Sequence, residues 1–391
     1  MESSLMFLKD IAMLLFFASV GGYISSKLKQ PQVLGQIIFG LLIGPSILNI
    51  IKSTEFIEQI AQIGVILLMF IAGLETDLDD LKSSSKSSTS IALGGVLGPM
   101  ILGMIGILLL KGTVALNEAI FVGVILTATS VSITVQTLRE LGQLRTRQGI
   151  GILGAAIIDD VVGIILVTLV VGIVDPTQNS NIIFVLGKII FFFVISLVIG
   201  VIFSKSLTKF SDKVNRENKL LTLALIFSFS LAFIAEELGV AAIIGAYITG
   251  VIFSCTPHRN RVSHEIQRVA YSIFTPIFFM NIGLGVKLDN IGGSVLLSVV
   301  IITAAILGKV GGCYVGGRIS KFTTRESLQI GIGMVPRAEV ALIVANLGLS
   351  IDVIGQDVFT GVVLLVLAST IITPILLKKV YSDKAKIIKE S

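Results

Sequence analysis

Thirteen apolar runs divide this chain, and each is about as long as a helix that crosses a bilayer, ~17–25 residues. They fall near 7–26, 33–50, 57–74, 88–110, 115–138, 148–174, 181–204, 219–236, 239–254, 266–286, 292–316, 325–347 and 356–378, the ninth being the shortest. A length of 391 residues alone suggests two or three soluble domains, but 54% hydrophobic residues, 14% charged residues and a mean hydropathy of +0.97 override that expectation. The expected fold class is an all-α polytopic membrane protein.

The basic residues give that layout a direction. Seven inter-span segments hold 23 lysines and arginines, with five between the seventh and eighth spans: Lys205, Lys209, Lys213, Arg216 and Lys219. The alternate segments hold four: Lys9, Lys52, Lys111 and Lys287. Positive charge marks the cytoplasmic side, so the N-terminus is expected outside and the C-terminus in the cytoplasm. The high pI therefore reflects the bilayer and not nucleic acid. Ser25, Ser26, Lys27 and Lys29 follow the first run, which reads as a retained anchor. Cys255 and Cys313 are too few and too far apart for a disulfide frame or a metal site.

Helices one to six and eight to thirteen form equal halves joined by a seventh. Corresponding members lie seven spans apart, so the halves have opposite topology, the build of many secondary transporters. The fifth and twelfth spans share a flaw. TATSVSIT (Thr127 to Thr134) places hydroxyl and β-branched residues at mid-membrane, where they weaken a helix and offer oxygen ligands. GIGMVPRAEVAL (Gly331 to Leu342) contains Pro336, which removes a backbone donor, and the opposite charges of Arg337 and Glu339. Paired interruptions of this kind point to a transporter's binding site. The ends of broken helices carry partial charges, which fixed charges nearby can compensate.

Asp159 and Asp160 stand side by side in the sixth span. A charged carboxylate at membrane depth costs at least ~2.5 kcal/mol, so each needs a partner, a ligand or water. Lys309, mid-span in the eleventh helix, needs an acidic partner in turn. Neighbouring residues on a helix point about 100° apart. One aspartate can therefore pair with Lys309 while the other faces a water-filled cavity. Glu75, at the end of the third span beside Asp77, Asp79 and Asp80, is a candidate cytoplasmic mouth, though a solvated helix end is the simpler reading. Glu236 and Glu237 read as a solvated helix end too. GIGILG (Gly149 to Gly154) matches a dinucleotide-binding pattern but follows no strand. Its small residues, like Gly308, Gly312 and Gly316, are read as helix-packing positions.

TATSVSITVQTLRELG, GAAIIDDVVG, the deep Lys309 and GMVPRAEVAL together resemble the bacterial sodium/proton antiporters of the cation:proton antiporter superfamily, specifically the two-aspartate NapA/GerN-type branch. The resemblance covers essentially the whole chain. It implies a moving ion-transporting core (88–174 and 292–378), a dimerisation scaffold (1–87 and 205–291), a linker helix (175–204) and a cytoplasmic tail (379–391). It implies that the broken fifth and twelfth helices cross beside Asp160, that Asp160 carries the cation or proton, and that Asp159 pairs with Lys309 as the charge-coupling residue. Exchange would follow an elevator motion of the core.

The chemistry agrees. Na⁺ prefers hard oxygen ligands, which Asp160, Asp159, Thr129, Ser130 and nearby carbonyls can supply, and one carboxylate cannot hold a proton and a cation at once. Competition with alternating access is sufficient for antiport by a secondary transporter, not an enzyme, with no cofactor, resident metal or ATP. The expected partners are monovalent cations, protons, the bilayer and a second copy of the chain. The expected function is electrogenic Na⁺(Li⁺)/H⁺ antiport, with K⁺(Na⁺)/H⁺ antiport as the alternative. A sodium-coupled solute symporter is disfavoured because no Trp and only five Tyr are present to line a substrate pocket. A channel is disfavoured because a buried Asp–Lys pair blocks a pore.

Overall fold

The structure, a computed structural model, describes residues 6–174, 182–209, 219–286 and 295–382. Among the described residues all regular structure is helical. The first half contains α1 (Met6–Lys27), α2 (Gln32–Ile43), α3 (Glu55–Glu75), α4 (Leu78–Lys111), α5 (Leu116–Thr127), α6 (Val131–Glu140) and α7 (Arg147–Val174). After α8 (Ile182–Lys209) come α9 (Lys219–Glu237), α10 (Ala242–Ser254), α11 (Arg259–Val269), a π-helical turn (Ala270–Phe274) and α12 (Thr275–Leu284). The chain continues through α13 (Val295–Ile319), α14 (Thr324–Gly333), α15 (Glu339–Ser350) and α16 (Gln356–Ser382). Nine spans among the described residues are long and apolar enough to cross a membrane.

Three of the departures from the apolar pattern have a clear local reason. The second run was expected to 50, but α2 stops at Ile43 because Pro45 pushes Gly44 into an extended conformation. The apolar residues that follow fold back in turns, with the Ile50 and Ile51 amides donating to the Ile43 carbonyl. The fourth run was expected to begin at 88, yet α4 begins at Leu78. Asp77 caps it by accepting from the Asp79 amide at 2.9 Å. Lys82 and Lys86 therefore stand on a projecting helical end rather than in a loop. The tenth run is preceded by the polar helix α11 and passes through the π turn, at which Tyr271 sits.

The closest packing joins α4 to α13. Gly308 lies against Pro99, Gly312 against the Gly94 carbonyl and Gly316 against the Ser90 carbonyl, so a Cβ at any of the three would strike backbone. The Ser90 hydroxyl donates across this seam to the Gly316 carbonyl at 3.1 Å. Gly95 leaves room for the Lys309 stem, whose Cε would be 3.3 Å from an added Cβ, and Cys313 is buried beside it. A second apolar core, including Phe121, Ile301, Val344 and Val362, joins α5, α13, α15 and α16.

Polar bonds tie the turns together at each end of the bundle. At one end the Ser46 hydroxyl donates to the Val286 carbonyl and Lys111 pairs with Glu118 and Asp357. At the other, Glu75 pairs with Arg139, Arg147 reaches the Ser320 carbonyl and Arg325 reaches the Val380 carbonyl. Lys213, Arg216, Lys287, Lys384, Lys386 and Lys389, and the side chains of Lys205, Lys209 and Lys219, lie outside the described residues.

Candidate functional site

The fifth predicted span is two helices. α5 ends at Thr127, Ala128 to Ser130 run extended, and α6 begins at Val131. The twelfth is also two, with Met334 to Ala338 unwound between α14 and α15. The unwound segments cross and bond to each other. The Ser130 amide donates to the Pro336 carbonyl at 2.8 Å, and the Thr134 hydroxyl donates to the Gly333 carbonyl at 2.6 Å. Backbone groups freed by the breaks thus find partners in each other, as they must in a dry interior.

The C-terminal ends of α5 and α14 bring partial negative charge to the crossing, and two cations answer it. Arg337 is fully buried; its guanidinium donates to the carbonyls of Leu126 (2.8 Å), Met334 (3.1 Å), Val335 (2.7 Å) and Pro336 (3.3 Å). Lys309, also fully buried, donates to the Thr127 carbonyl at 3.0 Å and to both carboxylate oxygens of Asp159 at 2.8 and 3.0 Å. A buried ammonium and carboxylate offset each other's desolvation only with such close geometry and further hydrogen bonds. Glu339 opens α15, where the helix N-terminus favours an acid; its side chain is outside the described residues.

Asp160 is a residue further along α7 and is only partly buried. It lies on the wall of a cavity of about 320 Å³ together with Asp159, Thr127, Thr168 and Glu236, and the rest of that wall is mainly apolar, from residues such as Val124, Ile164, Val240 and Val344. Toward the other end of the bundle Asp160 borders a void of about 10 Å³ closed by Met69, Val131 and Tyr247, room for no more than about one water. The space beside the carboxylate is thus much larger toward the Glu236 end than toward the Glu75 end. Thr129 and Ser130 are buried in the unwound segment. The Thr129 hydroxyl donates to the Thr127 carbonyl at 3.2 Å, and the Ser130 and Ser132 hydroxyls lie 3.1 Å apart. Glu75 is remote from this group and joins Arg139 instead.

Three contributors leave little trace in the sequence. Glu236 is exposed at its helix end, as the sequence suggests, and it also lines the cavity, where its carboxylate accepts from the Ala242 amide at 3.1 Å. Ser369 and Thr370 of α16 hold the unwound segment: the Arg337 amide donates to the Ser369 hydroxyl at 3.1 Å, and the Thr370 hydroxyl donates to the Arg337 carbonyl at 3.0 Å. Their signal was the hydroxyl run in LASTIIT, a counterpart of TATSVSIT in a span otherwise apolar.

Nine spans long and apolar enough to cross a membrane among the described residues, with two helices broken around buried charges, are the build of a membrane transporter. Residues 13–381 match the family described as sodium/hydrogen exchanger, transmembrane, and the chain belongs to that family. It is 39% identical over 385 residues to the Na⁺/H⁺-K⁺ antiporter GerN of Bacillus cereus, covering 98% of this chain and 99% of that one. It is 33% identical to a Na⁺/H⁺ antiporter of Enterococcus hirae, covering 96% and 100% respectively. The fold is similar to that of the sodium proton antiporter MjNhaP1 from Methanocaldococcus jannaschii, with a TM-score of 0.76 over 97% of each chain at 19% identity.

Proposed function

We propose that this protein exchanges Na⁺ or Li⁺ for protons across the bacterial cell membrane, with Asp160 as the shared site. The observation that carries this reading is the cavity at Asp160 beside the buried Asp159–Lys309 pair. A proton leaves the Asp160 carboxyl as the cation enters, and the Asp159, Thr129 and Ser130 oxygens, with carbonyls of the unwound segment, complete a hard-oxygen shell. Glu236 at the mouth attracts cations toward it. Potassium is a second candidate cargo, since GerN, a Na⁺/H⁺-K⁺ antiporter by name, is 39% identical.

Alternating access is proposed to come from movement of the core (88–174 and 292–378) against the scaffold (1–87 and 205–291), in a homodimer of thirteen-span chains with inverted repeats. The packing supports the repeat: α2 lies between α1 and α12 just as α10 lies between α9 and α3, and α4 and α13 pack on one another. The proposed orientation places the basic segments in the cytoplasm. A cysteine replacing Asn179 is then expected to react with an impermeant thiol reagent in intact cells, and one placed between 205 and 219 to be shielded, the native cysteines having been replaced. The reverse pattern would overturn the orientation.

The function itself is tested in proteoliposomes, where adding Na⁺ or Li⁺ is expected to dissipate an imposed pH gradient and a salt of an organic cation is not. If the Asp159–Lys309 pair opens during the cycle, two protons exchange for one sodium and net charge moves. Under a valinomycin-clamped potential the native rate is then expected to follow voltage, and Lys309→Gln to exchange with reduced voltage dependence. Equal voltage sensitivity in both proteins would exclude Lys309 as the coupling residue.

A further inference from the structure

The TLRELG stretch at the end of α6 has no role in the ion site, yet it carries the most elaborate polar contact between the proposed core and scaffold. Arg139 Nη2 lies 3.3 Å from Glu75 Oε1, with the two side chains 19% and 13% exposed. The same guanidinium stacks 4.5 Å above the Tyr271 ring, and its Nη1 donates to the Tyr271 hydroxyl. Gln267 donates to Glu75 at 3.3 Å and to the Ser263 hydroxyl at 2.8 Å, so the acid is held from both sides. The next residue, Glu140, accepts from the Gln32 amide at the start of α2. The tip of α6 is therefore fastened to α2, α3 and α11 with its π turn.

The opposite end of the same boundary is open. Glu58, Gln62 and Asn281 of the scaffold face Ala338 and Leu342 of the core across a cavity of about 280 Å³, beside the one that reaches Asp160. α6 is a short, stiff rod with the helix crossing at one end and Arg139 at the other, about 12 Å apart at 1.5 Å per residue. Met69, Val131 and Tyr247 line the narrow void that borders Asp160 on the side of the fastened tip, leaving room for about one water.

We propose that Arg139, Glu75 and Tyr271 form a latch that holds Asp160 open toward the Glu236 end. On this proposal the latch must break in each transport cycle before Asp160 can be reached from the Glu75 end. It rests on the moving-core reading above. The device is suited to that task. A partly hydrated ion pair is weak enough to open, while the planar guanidinium, held by a carboxylate and stacked on a phenol, fixes one geometry. Tyr271 belongs to a π turn, a helical irregularity that recurs at functional sites.

Two measurements test it, both in a chain with Cys255→Ser and Cys313→Ser. In the first, cysteines replace Glu75 and Arg139 and are joined by a short reducible bis-methanethiosulfonate. The joined protein is expected to lose Na⁺-driven proton movement and to regain it on reduction; full exchange while joined would overturn the latch. In the second, Ile157→Cys, at the narrow void, is labelled by an impermeant maleimide added from the Glu75 side. Arg139→Gln is expected to raise the labelling by about fivefold, the order of population shift that loss of one partly buried ion pair brings. The charge swap Glu75→Arg with Arg139→Glu is expected to lower it again. Unchanged labelling in Arg139→Gln would overturn the proposal. Labelling needs no transport, so the latch can stand even if the protein exchanges neither sodium nor potassium. Conversely, exchange that survives cross-linking would sink the latch and leave the antiport reading intact.

Discussion

An Asp160→Asn protein is expected to insert and fold normally and to move no protons in response to Na⁺, so that its proteoliposomes behave like empty vesicles. The amide is nearly the same size as the carboxylate, but it neither releases a proton nor offers a negative charge to a cation. Stability is expected to change less than in Asp159→Asn, because Asp160 is only partly buried and it is Asp159 that holds the buried Lys309. The contrast with its neighbour sharpens the test. Asp159→Asn leaves a fully buried ammonium without its carboxylate, at a cost of about 3–5 kcal/mol, so that variant is expected to fold poorly as well as to transport poorly. Proton release on adding Na⁺ to well-folded Asp160→Asn would remove Asp160 as the shared site. A second check is Na⁺ protection against thermal unfolding, which is expected in the native protein and lost in Asp160→Asn.

The chain's helices were legible because a bilayer demands long apolar runs, and the two broken ones because Pro336 and the Thr127–Thr134 hydroxyls are conspicuous there. The demand that Lys309 find an acid followed from depth alone. Which of two adjacent aspartates supplies it depends on helical phase and on the glycine seam between α4 and α13, which sets how far the lysine must reach. Residues that act through distant partners left little trace. Glu75 and Arg139 look like solvated helix ends, since nothing in GLETD or TLRELG announces that α3, α6 and the π turn meet. Glu236 leaves little trace for the same reason: a carboxylate after an apolar run normally faces bulk water, and only the cavity between α7, α9 and α15 makes it part of the site. The start of α4 is placed by the Asp77 cap, and α11 is a polar, charged helix outside the apolar runs, where hydropathy is silent.

Arg337→Met is expected to be the most destabilising single change at the crossing. Replacing a buried ion pair by apolar groups can be neutral when both partners are removed. That escape is closed here, because the partners of Arg337 are backbone carbonyls that no side-chain substitution deletes. Without the guanidinium the carbonyls of Leu126 and Val335 lose their 2.8 and 2.7 Å donors at the meeting point of two helix C-termini. Each buried acceptor left unpaired costs about 1–3 kcal/mol, and the positive charge facing two negative helix ends is lost as well. The sum is a large share of the ~5–15 kcal/mol that typically holds a fold together. In detergent the variant is expected to unfold at a midpoint lower by on the order of 10 °C and to yield a reduced monodisperse fraction. Arg337→Lys should fall between the two proteins, since an ammonium keeps the charge but cannot span carbonyls from both α5 and the unwound segment with a planar fork. A Met variant that melts with the native protein would show that the crossing is held by Ser130, Thr134, Ser369 and Thr370 without the arginine, and would leave Arg337 as an electrostatic element of the ion site alone.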